Sequence, residues 1–248
     1  MSRKPLVLII DAEIGAGKST LLSVLENKLQ DALAVKLSAL SGKKGPQGIR
    51  KKSICFIPEP VDIWKKSGAL EEFYNDIPGK AYKFQTFTFV TRVKRCLEYY
   101  RPDYDIFICE RSIFSDKDIF VKMLAEKGYF NELDLTMYNQ WWDMWSKVMP
   151  FQPSAFIYLD TPLEECIRRI ELRARGNEVA IDPDYHAALQ KTHAEFLGEI
   201  ANRGYPVHRL NGMLDFTQEE GQIAIVDKMV NIIMDMLPED DKIYTFHD

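Results

Sequence analysis

Cysteine is scarce and scattered. Cys55, Cys96, Cys109 and Cys166 are the only four in 248 residues. They share no metal-ligand spacing and sketch no disulfide framework, which favours a reducing compartment. Histidine is equally sparse, and His186, His193, His208 and His247 fit no zinc motif. Positive charge is not in excess: the formal net charge of -5 argues against a broad nucleic-acid footprint. No apolar run approaches the roughly 20 residues that span a bilayer. Met1-Ser2-Arg3-Lys4-Pro5 leads straight into a strand and does not read as a signal peptide. The expectation is a cytoplasmic protein with neither a membrane nor a nucleic-acid partner. Internal repeats are also lacking. Hydrophobic residues make up 46% of the chain, enough for a full core, so a disordered chain is excluded. Residues 1–248 suit one large α/β domain.

What is present begins with Leu6-Val7-Leu8-Ile9-Ile10-Asp11-Ala12-Glu13-Ile14-Gly15-Ala16-Gly17-Lys18-Ser19-Thr20. An apolar strand runs into a glycine-containing loop that closes on Gly-Lys-Ser at the start of a helix. Backbone N–H groups and a helix N-terminus can face phosphates there, and Lys18 adds a point charge. Ser19 offers a hydroxyl to Mg2+. Ala12 stands where the phosphate-loop pattern Gly-x4-Gly-Lys-Ser/Thr has its first glycine. Glycine suits that place because it tolerates unusual backbone angles and close approach, and alanine fits only if φ stays negative. The plainer alternative is a glycine turn between a strand and a helix.

Short apolar strands are expected at 5–10, 54–57, 105–109, 155–160 and 206–210. Long helical stretches alternate with them, which implies a parallel sheet with helices on both faces. Ligands of such sheets gather beyond the strand C-termini. Helices are expected from Lys18 to about Gln30, over 80–100, over 132–148 and over 217–236, with another opened by Thr161-Pro162-Leu163-Glu164. The basic, glycine-containing stretch at 41–52 reads as a surface insertion.

The strand ends carry the candidate chemistry. Pro58-Glu59-Pro60-Val61 pins a carboxylate between two prolines, as a general base or as an exposed turn residue. Cys109-Glu110-Arg111-Ser112 offers Glu110 to Mg2+, and Arg111 either to a phosphoryl group or to Glu59. A structural Glu110–Arg111 ion pair is the alternative. Arg168, Arg169, Arg173 and Arg175 lead into a glycine turn and could form a lid over a triphosphate, or a solvated basic face. Gln85, Thr88 or Phe89, and Arg92 recur at helical spacing and could read a nucleobase edge, or form the wet face of their helix. Trp141, Trp142 and Trp145 suit core or subunit packing.

In their order these residues resemble the deoxynucleoside kinase family. The resemblance rests on Ile14-Gly15-Ala16-Gly17-Lys18-Ser19-Thr20, on Pro58-Glu59-Pro60-Val61 with Trp64, and on Phe84-Gln85-Thr86. Glu110-Arg111-Ser112 with Ser115-Asp116, and Arg173-x-Arg175, complete it. It implies a P-loop kinase fold: a five-stranded parallel sheet flanked by helices, with an arginine-rich lid at about 169–182 and the insertion at about 41–53. It implies ATP as phosphate donor, Mg2+, a deoxynucleoside substrate and a homodimer formed through a helix bundle.

The resemblance also implies roles. Glu59 looks like the base acting on the 5′-hydroxyl, Arg111 like its positioning partner, Lys18 like the phosphate-loop cation and Glu110 like a magnesium-site carboxylate beside Ser19. Residues 14–20, Arg169, Arg173 and Arg175 would hold the triphosphate, and Asp215-Phe216 the adenine. Tyr74 and Glu178 match the pair on the sugar 3′-hydroxyl, and Gln85 matches the base-reading amide. Trp64 and Phe114 would lie near the base, with Phe87 and Phe120 as further walls. Thymidine-accepting members tend to be apolar at the positions of Arg92 and Asp116, so this charged pair implies deoxycytidine, deoxyadenosine or deoxyguanosine rather than thymidine. Ala12, and Glu13 where the family usually has Asn, are the departures, and Asp11 and Glu13 together put two carboxylates beside a phosphate site. The rival readings are a thymidylate-type nucleoside monophosphate kinase and a non-catalytic structural relative.

Overall fold

The computed structural model describes residues 4–40, 52–150, 152–173 and 182–238, with Leu40 and Arg173 described by backbone alone. Runs rich in isoleucine, valine and phenylalanine form five strands: β1 (Leu6–Asp11), β2 (Ile54–Ile57), β3 (Ile106–Glu110), β4 (Ala155–Asp160) and β5 (Val207–Asn211). They lie in the order β2-β3-β1-β4-β5, every neighbouring pair parallel. All strand C-termini therefore point to one edge. The register sets Ile10 beside Glu110 and Asp11 beside Tyr158, so residues following β1, β3 and β4 converge there.

The central strands are buried on both faces, as parallel strands between helix layers must be. Leu8, Ile10, Phe107 and Phe156 are fully buried. Helix α1 (Lys18–Leu40) lays Leu21, Leu25, Leu29, Leu33 and Leu37 on the sheet at a four-residue repeat. That stripe carries the helix past the expected end near Gln30. Residues 61–66 and 69–75 form short helices α2 (Val61–Lys66) and α3 (Ala69–Asn75), and α4 (Ile77–Tyr99) follows. Helix α4 starts earlier than expected, because the Asp76 side chain accepts from Gly79 N–H and Pro78 occupies the first turn.

After β3 the chain turns into α5 (Ile113–Ser115), a π-helical stretch Asp116–Val121 and α6 (Lys122–Glu126). A π-helical turn is uncommon and often marks a site; here it aims Asp116 and Phe120 at the sheet edge. Helix α7 (Glu132–Val148) begins on an Asn131–Asp134 capping box. Then come α8 (Leu163–Arg173), α9 (Pro183–Asn202) and α10 (Glu219–Met236), the last packed against α1. Among the described residues, no helix is long and apolar enough to cross a membrane.

Phe156 of β4 sits where the sheet meets α9, its ring centroid 5.5 Å from Phe196, 5.7 Å from Tyr205 and 6.3 Å from Phe114. Deleting such a ring loses transfer energy and leaves a cavity. Phe156→Ala is expected to cost about 3–5 kcal/mol, read as a lower urea midpoint at unchanged slope. An unmoved midpoint contradicts this packing.

Candidate functional site

The loop between β1 and α1 folds around two glycines in the left-handed region, Gly15 at φ 85° and Gly17 at φ 102°. Ala12 is not one of these positions: Arg111 is the only non-glycine with positive φ among the described residues. A negative φ needs no glycine, so Ala12 is compatible with the loop, its methyl fully buried in the core. Lys18 Nζ donates to the Ala12 carbonyl (3.1 Å) and the Glu13 carbonyl (2.8 Å), which curls the loop around the ammonium. Burial pulls the Lys18 ammonium down to about 8, and the nearby Arg111 charge adds to this. Glu59, Glu110 and Asp11 oppose the shift. From the other side Thr161 Oγ1 donates to Ala16 O (3.3 Å) and Arg169 Nη1 to the same oxygen (2.9 Å).

Arg111 leaves β3 at φ 61°, a conformation that costs a non-glycine residue about 1–3 kcal/mol and tends to mark functional positions. Its guanidinium gathers three elements. Nη2 donates to Ala12 O (2.8 Å), Nη1 lies 3.3 Å from Glu59 Oε2, and Nε lies 3.4 Å from Asp11 Oδ1. The ring of Phe120 stacks 4.8 Å from its Cζ. Glu59 also accepts from Arg92 Nη2 at 2.7 Å. Burial pushes the Glu59 carboxyl up, yet Arg111, Arg92 and Lys18 outweigh burial and hold it below the usual carboxylate range. Glu110 does not pair with Arg111. It accepts from Ser19 Oγ (2.7 Å) and from Glu59 N–H (3.4 Å).

A cavity of about 730 Å3 opens from this cluster, large enough for two small ligands side by side. Gln85, Thr88 and Arg92 of α4 all line it and are buried, so this polar line is not a wet face. Arg92 grips Asp116 with two bonds, Nε–Oδ2 2.8 Å and Nη2–Oδ1 3.0 Å. The carboxylates keep Arg92 charged against burial, while burial pushes the Asp116 carboxyl up and Arg92 pulls it back. Trp64, Tyr74 and Phe120 line the cavity, and Trp64 Nε1 is fixed by Thr91 Oγ1 at 2.8 Å.

Phe114 is the correction. It does not line this cavity but turns inward against Trp142, Phe156 and Tyr205. The Ser112–Ser115 capping box orients α5 and sends that ring to the core. Phe87 does not line the cavity either. Tyr185 of α9 does, and no motif in the sequence marks it. Phe216 lies beside the loop, 3.9 Å from where a Gly17 Cβ would stand, and Asp215 caps the following turn through Thr217. Arg169 reaches the loop and the Gly212 carbonyl (3.0 Å). Arg175 and Glu178 lie outside the described residues, as does the Arg173 side chain and most of the 41–52 insertion.

Ser19 Oγ and the Glu110 carboxylate form a pair of hard oxygen donors at the loop mouth, a set that suits Mg2+. No group of three metal-ligating side chains occurs among the described residues. A magnesium ion here would draw its remaining ligands from phosphates and water, as this metal commonly does.

Comparison with known proteins gives a consistent answer. The family model for deoxynucleoside kinase matches residues 46–235. The chain is 28% identical to a fowlpox virus protein named "Probable deoxycytidine kinase", over 92% of this chain and 88% of that one. It is 27% identical to the mitochondrial deoxyguanosine kinase of Xenopus laevis, over 90% of this chain and 86% of that one. It is 26% identical to the human mitochondrial thymidine kinase 2, over 87% of this chain and 76% of that one.

The two loop positions have opposite tolerances. A Cβ on Gly15 would fall 2.5 Å from the Cys166 carbonyl at a φ of 85°. Gly15→Ala is expected to displace the loop and weaken binding of a nucleotide phosphate donor, read by calorimetric titration, by roughly tenfold or more, the effect of a strain of about 1–3 kcal/mol. Ala12→Gly is expected to leave the affinity for that donor unchanged and to cost roughly 0.5–1 kcal/mol of stability. Tighter donor binding by Ala12→Gly contradicts the account of this loop.

Proposed function

The chain belongs to the deoxynucleoside kinase family, and from that premise we propose how its residues divide the transfer of the ATP γ-phosphate to the 5′-hydroxyl of a deoxynucleoside. The observation that carries the reading is Arg111. One guanidinium holds both the Ala12 carbonyl of the phosphate loop and the Glu59 carboxylate at the cavity. Donor grip and acceptor base thus share one rigid link.

Residues 14–20 wrap the phosphates with backbone N–H groups, and Lys18 leaves its loop carbonyls to reach them. Arg169, with Arg173 and Arg175, adds positive charge over the transferring group. A bound Mg2+ would neutralise charge on the phosphates, and Ser19 and Glu110 would be its side-chain donors. Asp215-Phe216 takes the adenine.

Glu59 orients the 5′-hydroxyl and accepts its proton as the oxygen bonds to the γ-phosphorus and the bond to the β-phosphate oxygen breaks. ADP leaves, and Glu59 passes the proton to solvent. A carboxylate held below its usual range is a weak base. It suffices because phosphoryl transfer depends on positioning and charge more than on proton abstraction. Arg111 keeps Glu59 ionised and aimed.

In the acceptor half, Tyr74 and Glu178 take the sugar 3′-hydroxyl, and Trp64 walls the base. Gln85 and the Arg92–Asp116 pair present donors and acceptors to its edge. A buried charged pair is costly unless a polar ligand also uses it, which favours amino-bearing bases over thymine. Both arginines of the acceptor side are already engaged by carboxylates. That engagement favours an uncharged nucleoside over a monophosphate as the acceptor.

A homodimer completes the proposal. Helix α7 exposes Leu133, Met137, Trp141, Met144 and Val148 in a helical stripe, and α4 exposes Val90 and Leu97. Sedimentation at twice the 28.7 kDa chain mass is expected, and a single chain mass contradicts it.

Initial rates with ATP–Mg2+ and the four natural deoxynucleosides test the function. Deoxycytidine, deoxyadenosine or deoxyguanosine is expected to give the highest kcat/KM; thymidine as best substrate refutes the base assignment. Glu59→Gln is expected to lower kcat by about 10²–10⁴-fold with ATP affinity nearly unchanged. Turnover that survives this change removes Glu59 as the base.

A further inference from the structure

The transfer chemistry leaves a group of buried charges behind the loop unused. Asp11, Glu13 and His193 do not line the cavity. All three are almost fully buried. His193 stands on α9 and its imidazole meets acceptors on both sides. Nδ1 lies 2.9 Å from the Leu189 carbonyl and 3.1 Å from Glu13 Oε1, and Nε2 lies 3.5 Å from Asp11 Oδ1.

Asp11 can only be an acceptor there. Its oxygens take the Ala12 N–H (2.8 Å) and the Ser115 hydroxyl, and face Arg111 Nε at 3.4 Å. Among the described residues, neither the Glu13 oxygens nor Nε2 of the imidazole have a hydrogen-bond partner, so His193 meets both carboxylates by charge and proximity, while Nδ1 hydrogen-bonds the Leu189 carbonyl. A neutral imidazole would turn one bare nitrogen lone pair towards a carboxylate or carbonyl oxygen. Protonation at both nitrogens removes that clash.

Among the described residues the surroundings offer no second cation for Glu13. Tyr158 of β4 and Phe120 of the π-helical stretch wall the imidazole, with ring centroids 6.1 and 6.3 Å away. Burial keeps the Tyr158 phenol protonated well above its usual range. His186, two turns back on α9, is pushed down by burial, with Glu13 as its charged neighbour. Lys18 spends its ammonium on loop carbonyls, and Arg111 serves Asp11 and Glu59.

We propose that His193 works as an imidazolium and is a positioning residue of the phosphate loop: it neutralises Glu13 and Asp11 from behind, fixes the loop against α9, and removes the repulsion that two unbalanced carboxylates would impose on a bound triphosphate. Glu13, an acidic residue where the family usually has Asn, is thereby balanced by a partner far along the chain. The inference rests on the kinase reading in one respect, that this loop receives a triphosphate.

The pH dependence has a definite sign. Burial pulls the imidazole down, but Asp11 and Glu13 outweigh it and raise it to about 9 from an ordinary 6.5. The contribution of His193 is therefore complete below about 6.5 and is lost as pH rises through about 9.

Carbon-detected NMR titration of the histidine rings in the full chain, which has four histidines, tests this directly. One ring is expected to titrate near 9, and Glu13→Gln is expected to lower that midpoint by about one unit or more. ATP–Mg2+ titrations supply the functional half. His193→Asn is expected to weaken ATP binding by about tenfold, and the Glu13→Asn/His193→Asn double variant to recover most of that loss, as coupled charges do. If His193→Asn does not fold, the titrations of wild type and Glu13→Gln decide. No ring titrating above about 7.5, or a double variant as weak as His193→Asn alone, overturns the inference while leaving the kinase reading intact. A wild-type chain that binds no ATP removes both, because the positioning role needs the triphosphate.

Discussion

The bonds of the Arg111 guanidinium are the constraint on which the site depends. Two segments far apart in the chain end on it: Asp11-Ala12, where β1 passes into the phosphate loop, and the turn after β2 that carries Glu59. Asp11, Ala12 and Arg111 are buried and the Glu59 side chain is nearly so, which shields these contacts from competing water. Removing one member would strand the others without solvent, a penalty of about 3–5 kcal/mol for a broken buried pair. The left-handed backbone of Arg111 is tolerated because these contacts over-determine it.

Around that link the charges alternate. Arg92 stands between Glu59 and Asp116, Arg111 between Glu59 and Asp11, and His193 between Asp11 and Glu13. The chain of pairs runs from Asp116 at the cavity, past Glu59, to the back of the loop between β1 and α1. It gives the site a fixed field before any ligand arrives, the preorganisation that phosphoryl transfer relies on. It also joins α4, β1, β3 and α9 through side chains alone.

Much of the architecture is legible in the sequence, and the reason is short-range. The strands are continuous apolar runs with polar residues at their ends, and all five stand within a residue of their expected ranges. The 132–148 helix is equally plain because Asn131 and Asp134 cap it. Helix α1 runs ten residues past expectation, since Leu33 and Leu37 extend its stripe without a breaker. Glu59, Gln85, Arg92 and Arg111, which line the cavity, are findable because each follows a strand or shares a helix face, whereas Asp116 is reached only through the family resemblance. The direction of Phe114 is not, because a local capping box decides which way its short helix turns. Tyr185 and His193 are not findable either. Neither belongs to a motif, and only the packing of α9 behind β1 and β4 brings them to the loop. Ala12 reads as a flaw in the pattern until the backbone shows a place that needs no positive φ.

The central claim is that Arg111 and Glu59 act as one unit joining donor loop and acceptor. A double-mutant cycle on transfer of labelled γ-phosphate from ATP–Mg2+ to deoxycytidine tests it most directly, with Glu59→Gln, Arg111→Met and their combination. The account predicts that the double variant is scarcely slower than the worse single variant, since either change already breaks the unit. Losses that multiply would show two independent residues and contradict it.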